Sequence, residues 1–442
     1  MSLSDDFKNF CENELSITHQ EWEKWENRLK EITKRLNRKY YSSGELDDEE
    51  TDNGLIVGSV GRETSVRNFS DFDYIFSLPI EIYKRFDNYN GNGQSALLQE
   101  IKKELLERYP QTKIKGDGQV VVINFSDGGK IELVPAFEQS DGNFKYPDAN
   151  DGGSWKITKP KPEVEKCKTL NSDLDNHFSN LARLIRSWKN HIGFSFKGLL
   201  IDTLIADFID HKSITSISYF DYNSLLLDIF EYFSEQNGDR EYWYALGSNQ
   251  KIYNDDGAKF INKAKKALNS IKEVSTSTDE LTEVYRQLFG RKFARNDAKT
   301  NRASNEQFID ELFNVDICYD ITLECEITQN GFRKMLLSDF LTRRYKIKTQ
   351  KSLDFKIIAS DIPDKILPNV EYYWKVRNVG IEAIRRDCER GAIVKGGIKH
   401  HEDSQFKGDH YVECYAVLDD IVIARDRIIV PIDPINGEDY VV

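Results

Sequence analysis

LIVGSVGRETSVRNFSDFDYIFSL, residues 55–78, decides how the rest of the chain is read. An apolar run (Leu55, Ile56, Val57) breaks at Gly58-Ser59, a helix-length segment follows, and a second apolar run carries Asp71 and Asp73. Side chains alternate along a strand, so Asp71 and Asp73 leave one face while Phe72 enters a core. Two carboxylates so close repel each other unless a cation sits between them. Magnesium held together with nucleotide phosphates is the usual occupant. Gly58 lets backbone approach a ligand closely, and the amides opening the next helix are donors for an anion, with the Ser59 hydroxyl beside them.

Two-metal phosphoryl transfer needs further anionic oxygen ligands. Val120 to Phe125 is a β-branched run, Asp127-Gly128-Gly129 signals a hairpin, and Lys130 to Phe137 returns as a strand with Glu132 between Ile131 and Leu133. Taken singly, a DxD among 74 acidic residues reads as a solvated loop or strand edge. The order decides otherwise: strand, Gly-Ser, helix, DxD strand, then a hairpin whose return strand carries an acid. That is the pattern of the polymerase-β-like nucleotidyltransferases. The reading requires Glu132 close to the aspartates and no lysine filling the space between them.

At 442 residues the chain accommodates two or three domains. A net charge of −13 argues against coating duplex nucleic acid, which rests on clustered Lys and Arg, and leaves small nucleotides arriving with their own magnesium compatible. Six cysteines without CxxC pairs fit reduced thiols in the cytosol. With no basic-then-apolar leader and no bilayer-length apolar run, the expectation is a cytoplasmic protein without a membrane partner.

Residues 15–41 read as one amphipathic spine helix (Trp22, Trp25, Leu29, Ile32, Leu36) capped by Ser16 or Thr18, and Gly44 to Asn53 as an acidic loop. A catalytic palm is expected over 54–140, with a helix at 96–109. Residues 138–165 read as a Gly-, Asp- and Pro-rich crossing loop, with Trp155 an apolar anchor and Lys156 and Lys159 free to face the cleft. A helical lobe follows over 160–300. There Leu181, Leu184, Ile185 and Trp188 form a stripe that leaves Arg183, Arg186 and Lys189 on another face, either solvated or clamping a triphosphate. Ser195 and Lys197 fall at a helix start, and Ala258 to Ile271 reads as a surface helix.

The segments GSVGRETSVRNFSDFDYIF, KIELVPAF, GGSWKITKP and LARLIRSWKNH, with ALGSNQKIYNDDGAKFINKAKKAL and RQLFGRKF, together resemble the bacterial relatives of cyclic GMP-AMP synthase, the CD-NTases of anti-phage (CBASS) signalling. The resemblance implies a polymerase-β-like α+β core with a helical second lobe. It implies that Asp71, Asp73 and Glu132 hold two Mg2+ ions, or Mn2+ in their place. Gly58, Ser59 and Arg62 would then hold the nucleotide, with Arg186 where relatives carry a lysine, Lys189 on the same face, and Ser195 on the same phosphates. Its substrates would be nucleoside triphosphates, ATP with GTP, UTP or CTP. Glu132 stands where it could take the proton of the acceptor hydroxyl. Ring size, linkage and base choice are not legible.

From about residue 305 the chain turns β-rich, with a helix near Leu337 to Tyr345, and the turn spacing suggests a small sandwich or barrel. YYWKVRNVGIEAIRRDCERGAIV and GDHYVECYAVLDDIVIARDRIIVPI resemble the AGS-C domain, so residues 305–442 are expected to be a sensor with a nucleotide ligand. Trp374, Arg377 and Asn378 would stack on a base and bond its edge, or Trp374 is core and Arg377 pairs with an acid. His400, His401 and His410 with Cys388 and Cys414 match no zinc spacing. The function expected is a magnesium-dependent synthase of a cyclic di- or trinucleotide. The rivals are an enzyme of the same fold that makes linear oligonucleotides or tags RNA or protein, and a nucleotide-sensing protein with the catalytic lobe as scaffold.

Overall fold

A computed structural model describes residues 2–41, 52–67, 69, 71–274, 277–294, 306–328, 333–345, 347, 349–378, 383, 385, 389–404 and 408–432. It divides into two compact units: residues 1–188 with 196–294, and residues 189–195 with 295–442. The acidic loop expected at 44–53 lies almost wholly outside the described residues, as does Cys388.

The first unit opens with α1 (Leu3–Asn9), a π-helical stretch (Phe10–Leu15) and α2 (His19–Tyr40). The spine is therefore shorter than residues 15–41. Thr18 is its cap: its hydroxyl accepts the Glu21 amide while Glu21 reaches back to the Thr18 amide. Such reciprocal capping satisfies amides that a helix start otherwise leaves unpaired. Trp25, Leu29, Ile32 and Leu36 lie along one stripe and are buried. Each contributes about 1.5–3 kcal/mol by leaving water.

That stripe covers a sheet. Its strands are β1 (Gly54–Ile56), β2 (Asp71–Ser77), β3 (Lys113–Asp117), β4 (Val120–Asn124) and β5 (Lys130–Glu138), in the order β1-β2-β5-β4-β3. Between β1 and β2 lies α3 (Gly58–Gly61), only four residues long; α4 (Ile80–Asp87) and α5 (Gly93–Arg108) follow β2. All the pairings among these strands are antiparallel except β2 with β5, which is parallel.

The crossing loop expected at 138–165 is instead a hairpin, β6 (Phe144–Asp148) and β7 (Ser154–Thr158), extending the sheet from the end of β5. Trp155 packs on Tyr83 and Phe137 and donates its indole N–H to Asp87, so it is an anchor. Lys156 is paired with Asp148. Helices α6 (Pro160–Asp173), α7 (His177–Ile192), α8 (Gly198–His211) and α9 (Tyr222–Ser234) follow. After the small hairpin β8 (Tyr242–Tyr244) and β9 (Lys251–Tyr253) come α10 (Phe260–Lys272) and α11 (Thr278–Phe289). α10, expected as a surface helix, buries Phe260, Ala264, Ala267, Leu268 and Ile271.

The second unit contains α12 (Ile309–Leu312), β10 (Asn314–Val315), β11 (Ile321–Thr328), β12 (Met335–Leu336), α13 (Leu337–Thr342) and β13 (Ser352–Ser360). It continues with β14 (Glu371–Asn378), β15 (Arg390–Gly396), β16 (Lys399–Asp403), β17 (Gly408–Leu418) and β18 (Ile421–Ile432). One sheet runs β10-β18-β17-β14-β15 and the other β12-β11-β13-β16, and they share a core that includes Phe355, Trp374, Val412 and Val430. Among the described residues no helix is long and apolar enough to cross a membrane.

Candidate active site

The acids of the first unit meet through strand register. In the parallel β2·β5 pair Asp71 lies opposite Lys130 and Asp73 opposite Glu132, while Phe72 between the aspartates is fully buried. Gly58 faces this cluster with φ +62, and a Cβ built on it would stand 1.7 Å from Asp73 Oδ2. Only glycine fits there. The Val57 amide donates to the Asp73 carbonyl at 3.0 Å, locking β1 and the Gly-Ser bend onto the aspartate strand. Ser59 follows, and its carbonyl accepts the amides of Thr64 and Ser65, closing the turn. With α3 only four residues long, the phosphate grip expected from a helix dipole reduces to the bend itself.

Burial, then Glu132, then Asp71 push the Asp73 carboxyl up to about 7; Arg62 and Lys130 oppose the shift. Desolvation and the two neighbouring carboxyls thus outweigh the cations near Asp73. Carboxylate oxygens are the ligands that a hard divalent ion selects, so in donor chemistry and charge these residues fit one. The arrangement as it stands is not a cage, because Lys130 Nζ sits 3.1 Å from Asp71 Oδ1 and 2.8 Å from Glu132 Oε1. Of the two conditions set from sequence, the nearness of Glu132 is met, and the absence of an intervening lysine is not. Correspondingly, no group of three His, Cys, Asp or Glu side chains among the described residues is disposed to hold a metal ion. His400 and His401 are hydrogen-bonded to Glu402 and Asp354 instead.

The basic residues expected on phosphate are differently employed. Asp202, 0 % exposed on α8, receives Arg62 Nε at 2.8 Å, Arg186 Nη1 and Nη2 at 2.7 and 2.9 Å, and the Thr64 hydroxyl at 3.0 Å. Burial would raise the Asp202 carboxyl; Arg186 and Arg62 outweigh it and hold it below its ordinary value. Arg186 is thereby corrected from a phosphate ligand to half of a buried ion pair. Arg62 is held in the same network, though close enough to oppose the shift of Asp73. Arg183 donates to the carbonyls of Ser65 and Glu63 and so pins the turn that follows α3. Lys189 and Ser195 cluster with the second unit, where Lys189 Nζ meets the Ile317 carbonyl and Asp316, and the Ser195 hydroxyl donates to Asp320 at 2.8 Å. Neither is placed with the acids.

In the second unit Trp374 is core: it is fully buried, stacks on His400 and donates its N–H to the Gly397 carbonyl. Arg377 pairs with Glu306 and Glu389, and the Asn378 amide and carbonyl are taken by Glu389 and Arg377. The sensor contacts expected of these three are replaced by structural ones. Sequence reasoning missed Asp202 and Lys130. A lone acid in the apolar run GLLIDTLIADF marks a buried counter-charge, and a lysine two residues before Glu132 in a strand shares its face.

Residues 1–171 match the family model for the Second Messenger Oligonucleotide or Dinucleotide Synthetase domain. Residues 303–433 match that for the Adenylyl/Guanylyl and SMODS C-terminal sensor domain. A probable cyclic nucleotide synthase of Bacillus cereus strain VD146 is 21% identical over 167 residues, covering 36% of this chain and 50% of that protein. The chain thus spans half the length of the curated relative it matches. Of solved structures, E. coli MS115-1 CdnC complexed with HORMA-deltaN is 14% identical, with TM-score 0.51 over 66% of this chain and 98% of that one. A mutant of the Vibrio cholerae di-nucleotide cyclase DncV is 11% identical, with TM-score 0.50 over 66% and 96%. At such identities the likeness speaks for the fold, which is that of the polymerase-β-like nucleotidyltransferases.

Proposed function

We propose, from the match of residues 1–171 to the Second Messenger Oligonucleotide or Dinucleotide Synthetase domain and of residues 303–433 to the AGS_C sensor domain, that the chain is a divalent-metal-dependent nucleotidyltransferase. In this reading it links nucleoside triphosphates into a cyclic di- or trinucleotide that serves anti-phage signalling. The observation that carries this reading is the match of residues 1–171 to that synthetase domain. The register that sets Asp73 beside Glu132, with Gly58 against them, supports it, whereas Lys130 between Asp71 and Glu132 breaks the condition set from sequence, so the site geometry alone does not carry it.

Asp71, Asp73 and Glu132 would hold Mg2+ or Mn2+. The bound ions supply charge neutralisation on the transferring phosphate and a lowered pKa for the attacking ribose hydroxyl. Gly58 and Ser59 orient the donor triphosphate, since the bend brings backbone within contact of the Asp73 carboxylate. Glu132, partly exposed on the strand beside Asp73, takes the hydroxyl proton on its carboxylate. In each round the ribose oxygen bonds to the α-phosphorus as the α–β phosphoanhydride bond breaks and pyrophosphate leaves, and repeating the step on the turned linear intermediate closes the ring. Another structure of E. coli MS115-1 CdnC, 16% identical with TM-score 0.50, was determined with ATP, which supports ATP among the substrates here. The defence role rests on the resemblance to the CD-NTases alone.

The test incubates the full chain with labelled nucleoside triphosphates, singly and in pairs, with Mg2+, and resolves phosphatase-treated products by thin-layer chromatography. A phosphatase-resistant product is expected from the native chain and none from Asp71→Asn/Asp73→Asn, whose circular dichroism should stay native. Turnover by that double variant would remove both aspartates from the mechanism. Phosphatase-sensitive products alone would mean a linear product.

A further inference from the structure

The acidic cluster holds a cation of its own. Lys130 opens β5 two residues before Glu132, so both side chains leave the same face of the strand. The parallel register then sets that face beside Asp71 and Asp73. The Lys130 ammonium bridges the two strands, 3.1 Å from Asp71 Oδ1 and 2.8 Å from Glu132 Oε1. It is 23 % exposed on a flexible four-carbon stem, so it can leave without disturbing the sheet.

Neighbouring carboxylates repel one another, and an ammonium between two of them offsets that repulsion. An ammonium donates hydrogen bonds but offers no ligand to a metal. It also fills the space between two carboxylates that a divalent ion would bind at about 2.0–2.1 Å. Both cations cannot occupy that space together. We propose that Lys130 is a resident counter-ion and positioning residue of the metal site: its ammonium holds Asp71 and Glu132 side by side before metal arrives and vacates the space between them when a divalent ion binds. This rests on the reading that Asp71, Asp73 and Glu132 ligate metal. It accounts for three acids that lie together without forming a cage. It also favours metal arriving on a triphosphate over metal alone, because the phosphates supply further ligands to offset the displacement.

The test uses the full chain, native and Lys130→Met, and two readouts that do not involve turnover. Mn2+ titration followed by electron paramagnetic resonance gives affinity; removing one positive charge from between two ligands should tighten binding about tenfold or more. Acylation of lysines in the native chain, read by mass spectrometry with and without saturating Mn2+, gives the position of the ammonium. Lys130 should become several-fold more reactive with Mn2+, while Lys145 on β6, whose ammonium lies over the Tyr83 ring, stays unchanged. Mn2+ binding with unchanged or lowered Lys130 reactivity would overturn the proposal, even if Lys130→Met failed to fold. Equal affinities of the two chains would overturn it as well. Absence of Mn2+ binding to either chain, both alone and with a non-hydrolysable nucleoside triphosphate, would instead bring down the metal-site reading, and this inference with it.

Discussion

At the scale of single residues, the site depends on a close approach that only hydrogen permits. Gly58 has φ +62, and any Cβ there would stand 1.7 Å from Asp73 Oδ2. Gly58→Ala therefore forces the aspartate or the bend to move, on top of a left-handed backbone that costs about 1–2 kcal/mol for an L-residue. The expected outcome is a lower urea midpoint together with a weakened Mn2+ titration; unchanged Mn2+ binding would mean that Asp73 is not held by this contact. Asp202 is the other pivotal residue. It satisfies Arg62 and Arg186 in a region closed to water, so Asp202→Asn leaves Arg186 without this counter-charge and Arg62 with only Glu163 at 3.9 Å, and should destabilise the chain by about 3–5 kcal/mol. Chemical denaturation measures this, and a loss under about 1 kcal/mol would show that solvent reaches the pair.

At the scale of elements, what was legible in the sequence was what local pattern encodes. The spine helix, the β4–β5 hairpin and the aspartate strand announce themselves by periodicity, by Asp-Gly-Gly and by alternation. The β6–β7 hairpin does not, because its strands have only five residues each and one contains Pro147, so Gly and Asp dominate the segment. Cross-strand register is non-local, which is why the Asp71–Lys130 contact was not foreseen although both residues were in view. The same holds for Arg186: the spacing predicts a basic face, solvated or on phosphate, whereas the structure buries Arg186 against a partner 16 residues away on another helix. In the second unit, register also builds a buried charge cluster. Glu413 on β17 faces Arg427 on β18, and Arg425 reaches the same carboxylate at 2.8 Å. Burial would raise Glu413, but Arg425 and Arg427 pull it down to about 2. A carboxyl lowered on folding stabilises the fold above its unfolded value near 4.5 and loses that contribution as pH falls toward 2. Denaturation midpoints at pH 5 and pH 3 should therefore fall, with a slope of at most about 1.4 kcal/mol per pH unit from this group. Glu413→Gln should be less stable at pH 5 and flatter below it. A native-like slope in that variant would assign the acid sensitivity elsewhere.

At the scale of the molecule, the chain consists of two units with separate cores, and the acids, the Gly58 bend and the Asp202 network all belong to the first. The boundary does not follow the sequence cleanly, since residues 189–195 cluster with the second unit, where Lys189 and Ser195 find Asp316 and Asp320. A chain ending at residue 294 would strip those partners from Lys189 and Ser195 yet leave every contact that shapes the acidic cluster. Distant sites that share no partner contribute nearly independently, so Mn2+ affinity of the 1–294 chain should match the full chain within roughly twofold. Its thermal midpoint should fall, because a buried lysine loses its acid and its carbonyl acceptor at once. Product formation by the two chains at equal Mn2+ occupancy then separates the roles of the units. Equal rates would assign the chemistry to the first unit and leave regulation to the second. A folded, metal-binding but inactive 1–294 chain would mean that the chemistry needs the second unit as well.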